Sequence, residues 1–534
     1  MKQHWPILVI VAVTMACLSP ELIPTPDLND NVLHMTLING MAHAIEQGQN
    51  PFDFWSPEIG LGQQIVKYYQ PGAHAIVVAL WLALFKLVPL STVFMWVRFL
   101  SLALLPLTFY ATCRLLYLPR SFQVAAAALC LLVSGDSFGI DLGSYVWAGH
   151  GLFPQAVATH FLLLTIGFGW RAIRPLTIWA VDTPKFQPVH TRAEWLLAAA
   201  ALALTGWCNL LYGYVGAVTL CILTAMPGGF PKSRLRQLSK IAAVAGACAI
   251  PKLITWLSQP GAVQAGESGA RAFMSDSYGA TKVLHDLMAG ATLDNGRVAV
   301  LTILAAVGTI EAIIRHKKSP IVNFILTAGA AWLMLYFGRP FWGDALYLVG
   351  ITPAMPLHRL IGPVQIFAVL LAAGAVCWIW EQKRFAYTFV ALLLILAPVI
   401  QERRTYLDNN ARWRTETRAA FAQDGPAIEQ ALQLAKDRGG RAYAGLPATW
   451  GTPFRIGAVP VYSLFPPRSI SCVGYLYISF SARNTATYYF NDRRPADYQQ
   501  MDVRTIIAPL EMPPLPTWTP IKTFGRFAVY APKR

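Results

Sequence analysis

The sequence is poor in charged side chains, and its acidic residues are especially few, 27 against 43 Lys and Arg. Charged residues make up 13% of the 534 positions, about half of the roughly 25% that is usual in globular domains. Hydrophobic residues make up 55%, and apolar runs long enough to cross a bilayer recur between Trp5 and Ile400. This composition excludes an ordinary soluble enzyme and indicates a multi-pass membrane protein.

Two further absences narrow the possible functions. All eight cysteines except Cys472 lie in or beside apolar runs, which is typical of small core residues rather than a disulfide framework or a zinc site. The formal charge of +16 arises mostly in short loops between apolar runs and in the final quarter of the chain. Because no basic helix or aromatic-interleaved basic patch accompanies that charge, we expect no nucleic acid among the partners.

Eleven apolar stretches of the sequence predict eleven membrane-spanning segments. The first, 1–20, begins with Lys2 and lacks an A-x-A-like cleavage site, so it predicts a retained signal anchor with a cytoplasmic N-terminus. Every second loop after it is rich in Lys and Arg, as the positive-inside rule requires. The predicted spans are 1–20, 92–113, 121–134, 152–170, 194–208, 210–226, 240–257, 297–314, 319–337, 361–380 and 384–401.

The alternation of basic loops determines how two ambiguous apolar stretches are assigned. As a single helix, residues 194–226 would be about 50 Å long, whereas the hydrocarbon core is only ~30 Å thick. We therefore expect a hairpin that turns near Trp207, Cys208 and Asn209. Residues 72–89 cannot be a full span without inverting the basic loops that follow. They predict an interfacial or re-entrant helix on the outer side.

This topology directs two long segments to the outer face, a first loop at 24–91 and a C-terminal region at 402–534, after a membrane domain at 1–401. The C-terminal region is no longer hydrophobic and has room for a domain of ~130 residues. Residues 412–437 predict a helix, with Pro426 near a helix start. Strand-like runs separated by Pro and Gly then indicate an α+β domain, at 441–445, 470–479, 503–508 and 525–530.

The first outer loop carries Asp27 and Asp30, with His34 four residues after Asp30. If a helix starts here, Asp30 and His34 fall on one face, near the membrane surface. The alternative, that these carboxylates cap the helix and His34 is solvated, is left open with equal weight.

The second outer loop, 134–151, carries Asp136 and Asp141, followed by His150. Hard divalent cations such as Mg²⁺ or Mn²⁺ prefer carboxylate oxygens, so this pair is a candidate metal or acceptor site. The alternative that both residues cap turns among glycines is slightly favoured. Arg339 and the pair His358-Arg359 are also predicted on the outer side, where positive charge indicates a partner: an acidic side chain or a lipid phosphate.

The order of these features resembles the GT-C superfamily of integral membrane glycosyltransferases, and in detail the bacterial branch named "6-pyruvoyl-tetrahydropterin synthase-related". The resemblance covers most of the membrane part, but this chain lacks an Asp-x-Asp in its first loop, which leaves metal use open. The matching motifs are Asp30…His34, Gly48…Pro51, Trp55…Pro57, Gly60…Gly62, Tyr69…Pro71 and His358-Arg359.

The resemblance implies transfer of a sugar from a polyprenyl-phosphate donor to a glycan, lipid or protein acceptor, outside a bacterial plasma (inner) membrane. Asp30, or else Asp27, would be the base that activates the acceptor hydroxyl, and Arg359 would bind the donor phosphate. The remaining residues implied to line the substrate site are His34, Tyr69, His150, His358 and Arg339. In the C-terminal domain, Trp450 and Tyr475 would recognise the acceptor or form part of the core, the core being favoured.

Two other classes remain open. A transporter or flippase of lipid-linked sugars would place charged residues at mid-bilayer and show an inverted repeat. Only Asn209 and Glu311 approach that pattern, and no repeat is visible in the sequence. A non-catalytic scaffold of the same fold is the third class, because one displaced carboxylate would abolish activity.

Overall fold

The computed structural model describes residues 5–135, 137–174, 193–227, 231–258, 276–315, 319–353, 355–381, 385–447, 449–474, 487, 489–512 and 515–533. The chain divides into two compact units. We call Met1–Ser19, Arg98–Pro251 and Phe273–Leu407 the helical unit, and Pro20–Val97, Lys252–Ala272 and Asp408–Arg534 the mixed unit.

The described residues are mostly helical. In chain order the helices are α1 (Trp5–Cys17), α2 (Asp30–Glu46), α3 (Ile65–Tyr68), α4 (Gly72–Ala83), α5 (Leu90–Ala103), α6 (Leu105–Leu115), α7 (Arg120–Leu129), α8 (Phe153–Ile173), α9 (Ala193–Cys208), α10 (Leu210–Ala225), α11 (Pro231–Ser258), α12 (Gly279–Met288), α13 (Val300–Arg315), α14 (Pro320–Tyr336), α15 (Arg339–Trp342), α16 (Ile361–Trp380), α17 (Phe385–Arg438) and α18 (Pro495–Gln500). The strands are β1 (Arg441–Tyr443), β2 (Arg455–Ile456), β3 (Val459–Pro460), β4 (Val503–Pro509), β5 (Trp518–Phe524) and β6 (Phe527–Pro532).

The predicted count of eleven spans is not confirmed. Within the described residues, two helical segments are long and apolar enough to cross a membrane, Phe153–Ile173 and Leu357–Trp380. The number rises to four if two bent pairs are each one span. The predicted span 92–113 bends by 47° between α5 and α6, and the helix after 319 turns by 84° at Gly338, whose φ is 70°. An apolar run in the sequence therefore does not guarantee one straight helix.

The predicted hairpin at 194–226 is confirmed. Helix α9 ends at Cys208 and α10 begins at Leu210, with Asn209 between them. The Asn209 side chain accepts a hydrogen bond from the backbone N–H of Tyr212 at 3.0 Å, which satisfies one of the orphan donors at the start of α10. An amide that caps a helix start explains why the chain turns at this residue.

Helix α4 covers the stretch that the sequence assigns to an interfacial or re-entrant helix. It has 12 residues and is about 18 Å long at 1.5 Å per residue, too short for a ~30 Å hydrocarbon core. This length agrees with the prediction that the stretch is not a full span. Helix α4 packs against α2 within the mixed unit, and its membrane side stays a prediction.

The helical unit is held together by the longer apolar helices. Helix α8 packs against α6, α9 and α10, and α16 packs against α7, α13 and α14. Large aromatic side chains fill its interior, and Trp332 on α14 donates a hydrogen bond to the hydroxyl of Thr219 on α10 at 3.0 Å. Helices α8 and α16 lie in the centre of this packing. Residues near their N-terminal ends position the second outer loop, 134–151.

The mixed unit contains the predicted α+β region. Its main sheet has the order β1-β4-β6-β5, with β1 parallel to β4 and the other neighbours antiparallel, while β2 and β3 form a separate hairpin. Three of the predicted strand runs coincide with β1, β4 and β6. Strand β5 was missed, and of the predicted run 470–479 only an isolated bridge of Cys472 with Ala442 lies among the described residues.

The helix predicted at 412–437 is longer than expected. Helix α17 runs without interruption from Phe385 to Arg438, so Pro426 lies inside it rather than at its start. The predicted boundary between 401 and 402 also falls inside α17, and that boundary stays a prediction. Trp450 packs against the core beside Tyr443, with ring centroids 5.6 Å apart, which favours its interpretation as a core residue. Tyr475 lies outside the described residues.

A buried ion pair holds the beginning of the first outer loop to α17 in the mixed unit. Glu21 Oε2 lies 3.3 Å from Nη1 of Arg414, and both side chains are almost fully buried. Nδ2 of Asn410 donates to Glu21 Oε1 at 2.6 Å. Removing one member would leave the other charge buried without its counterion.

We expect Glu21→Ala to lower the free energy of unfolding by about 3–5 kcal/mol, because Arg414 would lose its carboxylate partner in a buried site. Glu429→Ala is the matched control, since Glu429 pairs with Arg468 at the surface of the same unit and such pairs contribute about 0–1 kcal/mol. Thermal unfolding of the purified protein in detergent would measure both. Equal shifts in Tm would contradict the prediction.

Candidate functional site

The sequence-predicted site residues fall into two groups, one in each unit. In the helical unit, two buried glutamines hold the second outer loop. Nε2 of Gln155, on α8, donates to the carbonyl oxygens of Phe138 at 2.7 Å and Gly139 at 3.0 Å. Oε1 of Gln365, on α16, accepts from the backbone N–H of Ile140 at 2.7 Å. These bonds fix the backbone at Phe138, whose φ of 64° is uncommon for an aromatic residue.

Neither glutamine is among the site residues predicted from the sequence. Their signal was a lone amide side chain near the start of an otherwise apolar run, a position where a polar group needs a specific partner. Both amides are almost completely buried, and loop carbonyl and N–H groups supply those partners.

Phe138 is the centre of a cluster that we call the Phe138 cluster, with His150, His358 and Arg359. The His150 ring stacks on the Phe138 ring at a centroid distance of 4.2 Å and an angle of 11°. The His358 ring meets Phe138 edge-on at 5.1 Å, and the guanidinium carbon of Arg359 lies 5.5 Å from the ring centroid. The structure therefore brings three predicted site residues together around a fourth that the sequence analysis missed.

The chemistry of the Phe138 cluster suits an anion. The Phe138 face stabilises the guanidinium of Arg359, and the two imidazoles add further hydrogen-bond donors. Arg359 Nε is buried, and within the described part of the chain it has no hydrogen-bond partner. A guanidinium with an unused donor binds a phosphate or carboxylate through charge-assisted hydrogen bonds.

Asp141 is a structural residue of the same loop. Its Oδ1 accepts from the N–H of Ser144 at 3.0 Å and from the Ser144 hydroxyl at 2.8 Å. Its Oδ2 accepts from the N–H of Gly139 and the hydroxyl of Ser137, each at 3.2 Å. This geometry favours the turn-capping alternative for Asp141. Asp136 lies outside the described residues, among which no group of three or more His, Cys, Asp or Glu could hold a metal ion.

Arg339 has the acidic partner that the sequence analysis offered as one alternative. Its Nη1 lies 2.7 Å from Oδ1 of Asp276, and its Nη2 donates to the carbonyl oxygens of Thr352 and Met355. Arg339 thus joins three chain segments near the C-terminal end of α14. Its role in substrate binding stays a prediction.

In the mixed unit, Asp30 is the first residue of α2, and His34 follows one helical turn later, as predicted. Asn29 occupies the N-cap position with a φ of 52°, and Asp27 precedes the helix. A carboxylate in the first turn lies near the positive end of the helix dipole, which stabilises its ionised form. That form is the one a general base needs.

His34 is buried rather than solvated, with 1% of its surface exposed. Its Nδ1 lies 3.1 Å from Nε2 of His74, on α4. The Tyr69 ring lies 6.4 Å from the His34 ring and 5.9 Å from the His74 ring, measured between centroids. The structure therefore brings the predicted residues His34 and Tyr69 together and adds His74. Its only sequence signal was a histidine three residues after Pro71 in an apolar helix.

Burial lowers the pKa of His74 to about 4, although backbone hydrogen bonds with Gln70 and Pro71 oppose the shift. In the unfolded chain His74 would titrate near its ordinary pKa of about 6.5, so between these values the unfolded state binds more protons. The free energy of unfolding is therefore expected to fall by about 3 kcal/mol as the pH decreases from 6.5 through 4.

His74→Gln removes this titration, so we expect its stability to depend less on pH than that of the wild type. Chemical denaturation between pH 7 and pH 4 would measure the free energy of unfolding of both proteins. Subtracting one pH profile from the other cancels the contribution of the titrating groups that the two proteins share. Parallel pH profiles would contradict the pKa of His74 as the cause.

No family model and no curated protein matches the chain significantly. Among solved structures, its fold is similar to that of arabinofuranosyltransferase AftD from mycobacteria, determined by single-particle cryo-EM. The TM-score is 0.62 and the sequence identity 15%, and the alignment covers 100% of this chain and 40% of that one. At this identity the similarity shows the fold alone, and this chain spans less than half the length of AftD.

The predicted fold class is confirmed in its coarse form. The chain is mostly helical, has apolar helices able to cross a membrane and a C-terminal sheet region, and shares the fold of a glycosyltransferase. Both the apolar helices and the fold mark it as a membrane protein. The specific bacterial branch, the inner membrane and the sidedness of the loops stay predictions.

Proposed function

We propose that the protein is a membrane glycosyltransferase that transfers a sugar from a polyprenyl-phosphate donor to an extracytoplasmic glycan, lipid or protein acceptor. The observation that carries the proposal is the meeting of one guanidinium and two imidazoles at Phe138. It occurs in a chain with the fold of a glycosyltransferase. A guanidinium with neighbouring hydrogen-bond donors is what the phosphate of a lipid-linked sugar requires.

In the proposed reaction, Arg359 binds the phosphate of the donor. The bond between the anomeric carbon and the phosphate oxygen breaks, and its electron pair remains on the departing polyprenyl phosphate. That phosphate gains negative charge as the bond breaks, so a fixed cation stabilises the transition state more than the bound donor. His150 and His358 would hold Phe138 and Arg359 in place and donate further hydrogen bonds.

Asp30 is proposed as the base on the acceptor side, with Asp27 as the alternative. As the acceptor hydroxyl forms its bond to the anomeric carbon, the carboxylate takes the hydroxyl proton, so charge and atoms balance. His34 and Tyr69 would line the acceptor side. Asp136 and Asp141 are assigned a secondary role in binding acceptor or a divalent cation, a role that the hydrogen bonds of Asp141 make less favourable.

The proposal is tested by deleting the gene in its own host and measuring polyprenyl-phosphate sugars by lipid mass spectrometry. We expect one glycosylated polyprenyl phosphate to accumulate in the deletion strain and to be cleared when the wild-type gene is restored. A transporter would leave the total pool unchanged and alter its distribution between the two membrane faces. No change in either quantity would refute the transferase and favour a scaffold.

A further inference from the structure

Two arginines of the helical unit meet at the end of helix α10. Arg174 directly follows the last residue of α8, and Arg234 lies in the first turn of α11. Nη2 of Arg174 donates hydrogen bonds to the carbonyl oxygens of Met226 at 2.8 Å and of Pro227 at 2.9 Å. Nη1 of Arg234 donates to the same carbonyl oxygen of Met226. Two guanidinium groups therefore share one carbonyl oxygen just after α10 ends. We call them the Arg174–Arg234 pair.

The positive charge of the Arg174–Arg234 pair is larger than a helix end can neutralise. The C-terminus of a helix carries roughly half a negative charge, whereas each guanidinium carries a full positive charge. Within the described residues neither guanidinium has a carboxylate partner, and Glu194, near the start of α9, pairs with Arg171 at 3.0 Å. Burial and, after it, the neighbouring charge of Arg234 lower the pKa of Arg174. Capping of α10 alone thus leaves positive charge without a counterion.

Most hydrogen-bond donors of the pair are also unused. Each guanidinium has five N–H groups. Nε of Arg174 and Nε of Arg234 are buried, and neither has a hydrogen-bond partner in the described part of the chain, which is a costly arrangement. Nη1 of Arg174 and Nη2 of Arg234 likewise make no hydrogen bond to a described residue, and these two atoms are not fully buried. Such a set of forked donors is complementary to the oxygens of a phosphate group.

The pair lies where a membrane surface is expected. Helix α8 has 21 residues and is about 31 Å long at 1.5 Å per residue, which matches a hydrocarbon core of ~30 Å. The guanidinium carbon of Arg174 lies 5.9 Å from the ring centroid of Trp170, and tryptophan is enriched at membrane interfaces. The segments that follow α8 and α10 are rich in Lys and Arg, so the positive-inside rule predicts this end on the cytoplasmic side. Basic pockets between helices on that side bind the headgroups of anionic lipids.

We propose that Arg174 and Arg234 form a binding site for the phosphate of an anionic phospholipid headgroup at the cytoplasmic end of the helical unit. The headgroup supplies the negative charge that the pair lacks and links the ends of α8 and α10 to the start of α11. Free phosphate has the same chemistry, but the position beside the end of a spanning helix favours a membrane lipid. Gln155 and Arg174 lie at opposite ends of α8, so this site is distinct from the Phe138 cluster and does not depend on sugar transfer.

Three variants separate a specific site from general surface charge. The double variant Arg174→Gln/Arg234→Gln removes both guanidiniums. Arg236→Gln is the matched control, because Arg236 is an exposed arginine on the same helix α11. The double variant Arg174→Lys/Arg234→Lys keeps both charges and donors for the Met226 carbonyl, and loses only the planar, forked donor set. It provides the test if the Gln double variant does not fold.

The measurement is the Tm of the full-length protein in a neutral detergent as phosphatidylglycerol, phosphatidylcholine or inorganic phosphate is added. Each protein is compared with its own Tm without additive, so any loss of capping at α10 cancels. We expect phosphatidylglycerol to raise the Tm of the wild type and of Arg236→Gln more than the other two additives do. Its apparent Kd should be about tenfold or more weaker in the Gln double variant and a few-fold weaker in the Lys double variant.

Three results would overturn the proposal. Equal affinity of the Gln double variant and Arg236→Gln for phosphatidylglycerol would show a general attraction to a basic surface. Wild-type affinity in the Lys double variant would contradict binding through the forked guanidinium donors. An equal rise in the Tm of the wild type with inorganic phosphate would exclude a lipid-specific site and assign the pair to free phosphate.

Discussion

Replacing Asp30 with Asn is expected to abolish sugar transfer while the protein remains folded. The substitution preserves the shape of the side chain and removes the group that accepts the proton of the acceptor hydroxyl. General-base catalysis contributes about 10²–10⁴-fold to such reactions, so kcat should fall by at least two orders of magnitude. Because Asp30 is the first residue of α2, the loss of its charge removes about 0.3–1 kcal/mol of helix-dipole stabilisation.

The matched control is Asp27→Asn, which changes the neighbouring carboxylate outside the helix. We expect it to keep most of the wild-type rate, since Asp27 lies three residues before α2 and does not share a helical face with His34. Turnover would be measured with the donor that accumulates in the deletion strain, and circular dichroism would check the fold. Wild-type turnover in Asp30→Asn would exclude Asp30 as the base, and loss only in Asp27→Asn would transfer the role to Asp27.

Replacing Arg359 with Gln is expected to produce the second large effect, a fall in kcat/KM of about 10²–10³-fold. The substitution removes the positive charge that stabilises the departing phosphate, and most of the loss should appear in kcat because that charge develops in the transition state. Arg359→Lys should recover part of the rate, because Lys keeps the charge and loses the planar, forked donor set.

Arg339→Gln is the control for the loss of a positive charge. Asp276 already neutralises Arg339, whereas within the described residues no carboxylate pairs with Arg359. We therefore expect Arg339→Gln to change Tm more than turnover. Phe138→Leu should lower the rate less than Arg359→Gln, because it removes the aromatic face and keeps the charge. Equal activity of Arg359→Gln and the wild type would exclude the Phe138 cluster as the donor-phosphate site.

The parts of the fold that the sequence predicted correctly rest on local physical chemistry. The hairpin of α9 and α10 follows from length, since 33 apolar residues exceed the membrane thickness and Asn209 caps the second helix. Strands β1, β4 and β6 follow from alternating or β-branched runs between turns. Strand β5 was missed because most of its side chains are exposed and Thr, Pro and Lys interrupt its apolar residues.

The predicted count of eleven spans was not confirmed, for a related reason. Hydropathy measures how apolar a run is and contains no information about where the helix bends. The break between α5 and α6 precedes Pro106, and the turn at Gly338 needs a positive φ, yet both lie within or beside continuous apolar runs. For α17 the error was the opposite one, because two separate helices were predicted where the structure has one. The helix changes from apolar to polar along its length, and that change in composition suggests a boundary that the backbone does not have.

Like the fold, the candidate site could be predicted from the sequence only in part. The sequence by itself determined that this is a membrane protein with carboxylates and cations in its predicted outer loops, because apolar content, basic-loop alternation and residue type are properties of short segments. Only the tertiary structure decided that His34 is buried against His74, that His150, His358 and Arg359 meet at Phe138, and that Asp141 is taken up by its own loop. The contacts of His34 with His74 and of Phe138 with His358 and Arg359 join residues 40 to about 220 positions apart. Only the packing of the folded chain brings side chains so distant in sequence into contact.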